Sequence, residues 1–327
     1  MKRRTLLQSA ATAAAAWATH GALAQSTASP APYPTRPIKV VVPFPAGTSP
    51  DTVARLIGDK LGQAWGPPML VDNRACAAGG IGAEMVAISP PDGYTLLLTV
   101  SSVMTINPHV YNALRYKPLT DFAPVTQLLT VPYVLCASPN APFNTMAELV
   151  AYAKSHPGSL NYASYGVGSQ TQVAVEIWSK QLGIQLNHVP YATNPTTDLM
   201  SGVVSLLLEP STTAIPLIKG NKIKAIGVSS EVRLPGLPNV PALSEYQAGL
   251  QTTAFHGLFA PRGTPDAIVA RLNTEVVRIL ALPDVRARLT DLGLIPGGGT
   301  PDALAARVNT DYVSWGRAIR DLNIKLQ

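Results

Sequence analysis

"VVVPFPAGTSPD", residues 40–51, combines the end of a strand, a loop and the start of a helix. Three consecutive valines are typical of a buried parallel strand, and Pro43 and Pro45 end it because proline cannot donate to a sheet ladder. Ser49 can cap the next helix, Pro50 suits its first position, and Asp51 suits its positive end. In this arrangement unpaired backbone N–H groups and the helix dipole face the loop, so the stretch predicts an anion site.

Two interpretations of this loop remain open. A nucleotide is a poor fit, because the phosphate-binding pattern G-x-x-x-x-G-K-[ST] is absent and the loop holds a single glycine. A plain helix cap is the simpler interpretation, since the same hydroxyl-proline-aspartate order precedes apolar-periodic runs at residues 264–266 and 300–302. The loop that precedes Ser49 favours a ligand site.

The first residues are typical of a cleaved export signal. Basic residues at 2–4 precede a mildly apolar run, and an A-x-A exit at residues 22–24 predicts cleavage after Ala24. The twin-arginine and general secretory routes both fit this pattern. Removing the three basic residues lowers the formal charge from +6 to 6 − 3 = +3, which does not indicate a nucleic-acid partner. No later run approaches the ~20 apolar residues of a membrane span, so we expect a soluble protein outside the cytoplasm.

Strand and helix patterns alternate along the remaining 327 − 24 = 303 residues, which exceed what one core usually supports. This alternation predicts an α/β fold of two lobes, each with a mostly parallel sheet covered by helices. The predicted strands are Ile38–Val42, Met69–Asp72, Thr95–Val100, Val125–Leu128, Tyr133–Ala137, Leu160–Ala163, His188–Tyr191, Val203–Glu209, Lys224–Val228 and Thr253–Ala260. The predicted helices are Asp51–Gln63, Met146–Ser155, Thr171–Leu182, Asp266–Leu280 and Asp302–Ile319.

Four of these strands run into loops that carry no charged residue. The loops cover residues 43–48, 100–102, 164–169 and 192–194, and their residues are small, hydroxylated or aromatic. Ligands of open α/β sheets sit beyond the carboxyl ends of strands. These loops are therefore the predicted binding site.

Several longer motifs carry a family resemblance. The segments "PIKVVVPFPAGTSPDTVARLI", "VDNRACAAGGIGAE", "SPPDGYTLLL", "LNYASYGVGSQT", "HVPYA" and "GLFAPRGTPDAIVARLN" resemble the solute receptors of tripartite tricarboxylate transporters, the Bug family. The resemblance implies a periplasmic, two-lobed Venus-flytrap binding protein, a monomer without cofactor. Its ligand would be a small organic carboxylate that it delivers to a membrane permease of the tripartite tricarboxylate type. The implied division is 1–24 signal, 25–126 lobe 1, 127–254 lobe 2 and 255–327 the return to lobe 1.

Matching the motifs residue by residue assigns the ligand loops. The implied ligand-binding residues are Phe44, Ala46, Gly47, Thr48, Asp51, Asn73, Arg74, Gly79, Ser101, Ser102, Ser164, Gly166, Gly168, Ser169, Tyr191 and Glu209. The chain departs from the family pattern at Thr48, Ala75-Cys76 and Gln172, and the run after Tyr191 is about two residues short. These departures predict an atypical pocket.

The alternatives are a receptor that feeds a sensor and an exported enzyme on the same fold. The metal-protease pattern His-Glu-x-x-His and the hydrolase pattern G-x-S-x-G are absent, so no catalytic or metal residue is assigned. Arg74 can hold a carboxylate or form a surface ion pair with Asp72. Glu209 can accept from a ligand amine or hydroxyl, or end its strand in solvent. Cys76 and Cys136 can pair in an oxidising compartment, although a buried free thiol better suits Cys136.

Overall fold

The computed structural model describes residues 33–75, 77–191 and 193–324. The chain divides into two compact units, Met1–Thr35 and Arg36–Gln327, and every strand and helix named below belongs to the second unit. The predicted export signal, residues 1–24, lies outside the described residues, as does Cys76.

The strands carry the framework of the fold. They are β1 Ile38–Val42, β2 Met69–Asn73, β3 Thr95–Val100, β4 Phe122–Ala137, β5 Asn161–Ser164, β6 Asn187–Pro190, β7 Leu206–Pro210, β8 Lys224–Val228, β9 Thr253–Pro261 and β10 Ile295–Gly298.

Helices connect and cover these strands. They are α1 Ser49–Trp65, α2 Gly80–Ala87, α3 Ser101–Thr105, α4 Asn107–Val110, α5 Met146–Ser155, α6 Gln170–Leu182, α7 Thr196–Ser201, α8 Ser211–Lys219, α9 Leu243–Tyr246, α10 Asp266–Leu280, α11 Pro283–Asp291 and α12 Pro301–Asp321. A short 3-10 turn, Ala77–Gly79, precedes α2.

The opening strand and helix form almost as their residues predict. Val40, Val41 and Val42 are fully buried at the end of β1. The predicted cap is wrong by one residue, because Thr48 holds the N-cap position and Ser49 is already the first residue of α1. Thr48 makes no side-chain capping bond to the helix. The N-terminal N–H groups of α1 are thus left open toward the preceding loop.

The strands form one sheet in the order β2-β1-β3-β9-β4-β7-β5-β6, and β8 and β10 also pair with β4. The pairs β1–β2, β1–β3, β5–β6 and β5–β7 are parallel. Every pair that involves β4 or β9 is antiparallel. The α/β fold is as predicted, but the sheet is mixed because two long strands run against their neighbours.

The long strand β4 replaces two predicted strands. Its first part pairs with β9 as far as Pro132 opposite Thr253, and its second part pairs with β7 from Tyr133 opposite Pro210. Pro132 therefore lies where the partner strand changes, so its missing N–H interrupts neither ladder. β4 is consequently shared by both halves of the sheet.

Each half of the sheet has its own apolar core. One core includes Val41, Leu97 and Phe259, and the other includes Val134 and Leu207. Cys136 lies in the second core as a buried free thiol. No helix of the described residues is both long and apolar enough to cross a membrane.

Candidate functional site: a ligand-binding cleft

A cavity of about 710 Å³ lies between the two halves of the sheet. The loops after β1 and β5 contribute to its wall, and so does the first turn of α3, which follows β3 directly where a loop was predicted. The end of β7 and central residues of β4 and β9 complete the wall. Six of the residues predicted for the site line it, namely Phe44, Gly47, Thr48, Ser102, Gly168 and Ser169. The strand-end loops thus meet around one space of the size that small-molecule sites occupy.

The wall of this cavity carries no formal charge. Among the described residues that line it, none is lysine, arginine, aspartate or glutamate. His256 lines the cavity from β9, and burial lowers its pKa to about 3, so the imidazole is neutral near pH 7. A charged ligand in this space would be held by dipoles rather than by an opposite charge.

Two helix N-termini supply such dipoles. Ser49 and Thr52 of the first turn of α1 line the cavity, and so do Thr212 and Thr213 of the first turn of α8. Neither helix has a side-chain cap. Their open N–H groups and positive dipole ends favour a negative group placed between them.

The N-terminus of α6 is arranged differently. Ser169 caps it by accepting from the N–H of Gln172, and Gln172 Oε1 accepts from the N–H of Gly168 at 2.7 Å. The glutamine that departs from the family pattern therefore holds the backbone at Gly168, one residue before the N-cap. Gly168 lines the cavity, but its N–H is already bonded within the protein. A Cβ built at Gly168 would lie 2.4 Å from Val110 Cγ1.

Asp51 and Asn73 hold the first loop instead of lining the cavity. Asp51 is buried and accepts from the N–H of Gly47 at 2.8 Å and from Asn73 at 3.0 Å, and it pairs with Arg55 at 2.9 Å. Asn73 also donates to the carbonyl of Phe44 at 3.1 Å. Burial raises the pKa of Asp51, but these bonds outweigh burial and hold it below its usual value. The Asp51 carboxylate thus forms its hydrogen bonds within the protein and does not face the ligand.

Glu209 lies beneath the opposite wall. It is completely buried, and the hydroxyl of Tyr165 lies 2.9 Å from each of its carboxyl oxygens. Burial raises the pKa of Glu209 to about 7, while hydrogen bonds with Tyr165, Thr196 and Thr213 act to lower it. The sequence predicted Glu209 either as a direct ligand contact or as a solvated strand end, and a completely buried side chain fits neither prediction. Tyr165 and Thr213, which line the cavity, separate it from the ligand space.

The other predicted residues lie behind or beside the cavity. Ser164 bonds His188 at 2.7 Å, Tyr191 donates to Asp198 at 2.6 Å, and the N–H of Phe255 donates to Ser101 at 3.3 Å. Arg74 pairs with Asp72 at 2.8 Å, and about half of its side chain is exposed. Ten predicted residues do not line the cavity, namely Ala46, Asp51, Asn73, Arg74, Gly79, Ser101, Ser164, Gly166, Tyr191 and Glu209.

Sequence reasoning missed several lining residues. These are Asn107, Tyr133, Thr213 and His256, whereas Tyr165 lies in the predicted loop 164–169 without having been singled out. Tyr133 and His256 lie inside β4 and β9, so no loop signal marks them, and α8 was not predicted because Pro216 lies within it. The uncharged stretch that follows Glu209 resembles the other predicted binding loops, and it could have predicted Thr213 as a lining residue.

A cavity between two halves of an α/β sheet, crossed by shared strands, defines the two-lobed class of periplasmic binding proteins. The solved "Structure of a periplasmic transporter" is similar to this chain, with a TM-score of 0.81 and 32% identity over 90% of this chain and 100% of that one.

The chain belongs to the tripartite tricarboxylate transporter receptor family, whose model matches residues 53–324. It is 32% identical over 299 residues to the protein BugT of Bordetella pertussis, covering 90% of this chain and 92% of that protein. MatC from Rhodopseudomonas palustris, solved with bound malate, has a TM-score of 0.75 and 35% identity, covering 88% of this chain and 100% of MatC. The protein is therefore a binding receptor of the Bug type.

Proposed function

We propose that this receptor captures a small organic carboxylate in the cavity, in the periplasm, and delivers it to a membrane permease of the tripartite tricarboxylate type. The observation that carries the proposal is an uncharged cavity lined by the first turns of α1 and α8, neither of which has a side-chain cap. The bound malate of MatC supports the same ligand class.

Dipoles alone are strong enough for this task. Hydrogen bonds to a charged group contribute ~1.5–3 kcal/mol each, and a helix dipole adds ~0.3–2 kcal/mol. Three or four such bonds are comparable to the ~8 kcal/mol of micromolar binding, before ordering costs are subtracted. A salt bridge from Arg74 is not required.

We also propose that ligand closes the two lobes implied by the family division, with their boundary on β4 moved from 126/127 to Pro132, because residues 127–132 pair with β9. The hinge would lie where β4 changes partner, at Pro132 opposite Thr253. Bending there would bring the first loop and α8 together around the ligand. A smaller radius of gyration in small-angle scattering with saturating ligand is expected, and an unchanged profile would count against closure.

A thermal-shift screen tests the ligand class. Mono-, di- and hydroxycarboxylates are each added at high concentration, with the corresponding amides as uncharged controls. A ligand at ~100 times its dissociation constant stabilises the folded state by ~2.7 kcal/mol. At least one acid should raise the melting temperature while its amide does not. Stabilisation by amides alone, or by none of the acids, would contradict the proposal.

Uptake tests the permease partner. Cells that carry the permease should accumulate the stabilising acid only when this receptor is present. A control receptor with Ser102→Asp, which places a negative charge on the cavity wall, should not support uptake. Equal uptake with and without the receptor would reject the partnership and leave the ligand class untouched.

A further inference from the structure

We propose that Tyr165, held by Glu209, restricts the ligand to an acid that also carries a hydrogen-bond donor, a hydroxyl or an ammonium group, beside the Tyr165 oxygen. This inference rests on the proposed carboxylate-receptor function and adds the chemical class of the acid. It concerns the wall opposite the first loop, where Tyr165 lies beside the N-terminus of α8.

The Tyr165 proton is directed away from the cavity. The side chain of Tyr165 lines the cavity and 38% of the residue is exposed, but its hydroxyl lies 2.9 Å from both oxygens of Glu209. An ionised carboxylate can only accept hydrogen bonds. Tyr165 has a single proton, so it gives that proton to Glu209 and presents only lone pairs to the ligand.

The hydroxyl of Thr196 completes the hydrogen bonds around the ionised Glu209 carboxylate. The backbone N–H of Thr196 donates to Asn194 Oδ1 at 2.9 Å, which identifies that atom as the acceptor oxygen. The Thr196 hydroxyl also contacts Asn194 Oδ1 and must be the donor there.

Thr196 Oγ1 also lies 3.2 Å from Glu209 Oε2 and donates to it, so this hydroxyl shares its proton between two acceptors. With Glu209 ionised, the hydroxyls of Thr196 and Tyr165 both donate to its carboxylate. The Tyr165 oxygen is then an acceptor toward the cavity.

An acceptor at this position discriminates among acids. A ligand hydroxyl or ammonium group can donate to the Tyr165 oxygen, whereas an unsubstituted chain offers no donor to its lone pairs once water is excluded. A second ionised carboxylate there would face lone pairs with Glu209 behind them. Tyr133, on the same wall, can donate or accept, so it does not discriminate.

Calorimetry with matched acids tests this inference. The sets are propionate, lactate and alanine; succinate, malate and aspartate; and glutarate, 2-hydroxyglutarate and glutamate. In at least one set the hydroxy or amino acid should bind roughly tenfold or more tightly than the unsubstituted acid. Tighter binding of the hydroxy member identifies a hydroxyl as the donor, and tighter binding of the amino member identifies an ammonium group.

Variants show whether Tyr165 and Glu209 cause the preference. Tyr165→Phe removes the acceptor and should reduce the preference to within roughly twofold. Glu209→Met keeps the length of the side chain but frees the Tyr165 proton, so 2-oxoglutarate should then bind more tightly than 2-hydroxyglutarate. The control Tyr133→Phe should weaken all members of a set alike and leave their ratio unchanged.

The outcomes separate this inference from the receptor function. If acids bind but the unsubstituted member is preferred, or if Tyr165→Phe retains the wild-type preference, the inference is overturned and the receptor function stands. If no acid binds, the receptor function fails and the inference fails with it. Circular dichroism of each variant confirms that the fold is intact.

Discussion

The N–H of Gly47 donates to the carboxylate of Asp51 at 2.8 Å, so the first turn of α1 holds the loop that follows β1. Asn73, at the end of β2, donates to the same carboxylate and to the carbonyl of Phe44. The first loop is therefore positioned by a buried acid that does not line the cavity. Asp51 therefore affects ligand binding by fixing the position of the first loop, without contacting the ligand itself.

Asp51→Asn should destabilise the protein by about 1–3 kcal/mol, because a buried amide cannot satisfy Gly47, Asn73 and Arg55 together. Denaturant unfolding measures the change. The matched control is Arg74→Ala, which removes a half-exposed ion pair with Asp72 and should change stability by less than about 0.5 kcal/mol. Equal losses in the two variants would contradict the assigned role of Asp51.

Two glycines with positive φ should respond differently to alanine. Gly47 has φ +82 and open space around a built Cβ, whereas Gly168 has φ +76 and would place Cβ 2.4 Å from Val110 Cγ1. Gly47→Ala should therefore cost about 1–2 kcal/mol for the backbone conformation alone. Gly168→Ala should cost about 1–3 kcal/mol more because of overpacking.

Val110→Ala in the Gly168→Ala background is the control for that collision. The second substitution should recover part of the loss, giving a favourable coupling of about 0.5–3 kcal/mol in a double-mutant cycle. Additive losses would mean that Val110 is not the obstacle.

Glu209 should make stability fall as pH rises. Burial raises its pKa from 4.5 to about 7, so the folded protein retains a proton that the unfolded chain has released. The stabilisation is complete below about pH 4.5 and is lost by about pH 7, an effect of about 3 kcal/mol. Glu209→Gln should remove this slope from urea-unfolding curves measured across the window. Parallel plots of stability against pH for the wild type and the variant would show that Glu209 does not cause the slope.

His256 should produce the opposite slope. Burial lowers its pKa from 6.5 to about 3, so the unfolded chain binds a proton that the folded protein does not. Stability should therefore fall as pH drops from about 6.5 toward 3. Between about pH 4.5 and 6.5 the two slopes oppose each other in the wild type.

Single variants should separate these slopes. Glu209→Gln leaves stability rising with pH in that window, and His256→Leu leaves it falling. His256→Leu also removes a buried Nδ1 that has no partner among the described residues. If stability changed with pH in the same direction in both variants, the pKa shift assigned to Glu209 or to His256 would be wrong.

Elements with a continuous local pattern were predictable from the sequence. Ile38–Val42, Met146–Ser155 and Asp266–Leu280 match the structure at both ends. Each has an apolar run or a helical repeat, so its own residues are enough to specify its secondary structure. Local prolines misled the prediction, since Pro132 lies within β4 and Pro216 within α8.

The site was predictable only as far as it follows strand ends. Thr48 and Ser169 lie in the loops after β1 and β5, and Ser102 lies in the first turn of α3, directly after β3. Tyr133 and His256 reach the cavity through the pairing of β4 with β9, which joins residues far apart in the chain. Such long-range pairing leaves no trace in a local pattern.

The central claim is that an uncharged wall and helix dipoles hold a carboxylate. Its most direct test is calorimetric titration of the best acid into wild type, Ser102→Asp, Ser102→Asn and Arg74→Ala. Affinity should fall by roughly 100-fold or more in Ser102→Asp, because a negative charge enters a desolvated anion site, and by less than roughly tenfold in the neutral Ser102→Asn. Arg74→Ala should stay within roughly twofold of wild type. Unchanged binding in Ser102→Asp together with abolished binding in Arg74→Ala would contradict the account.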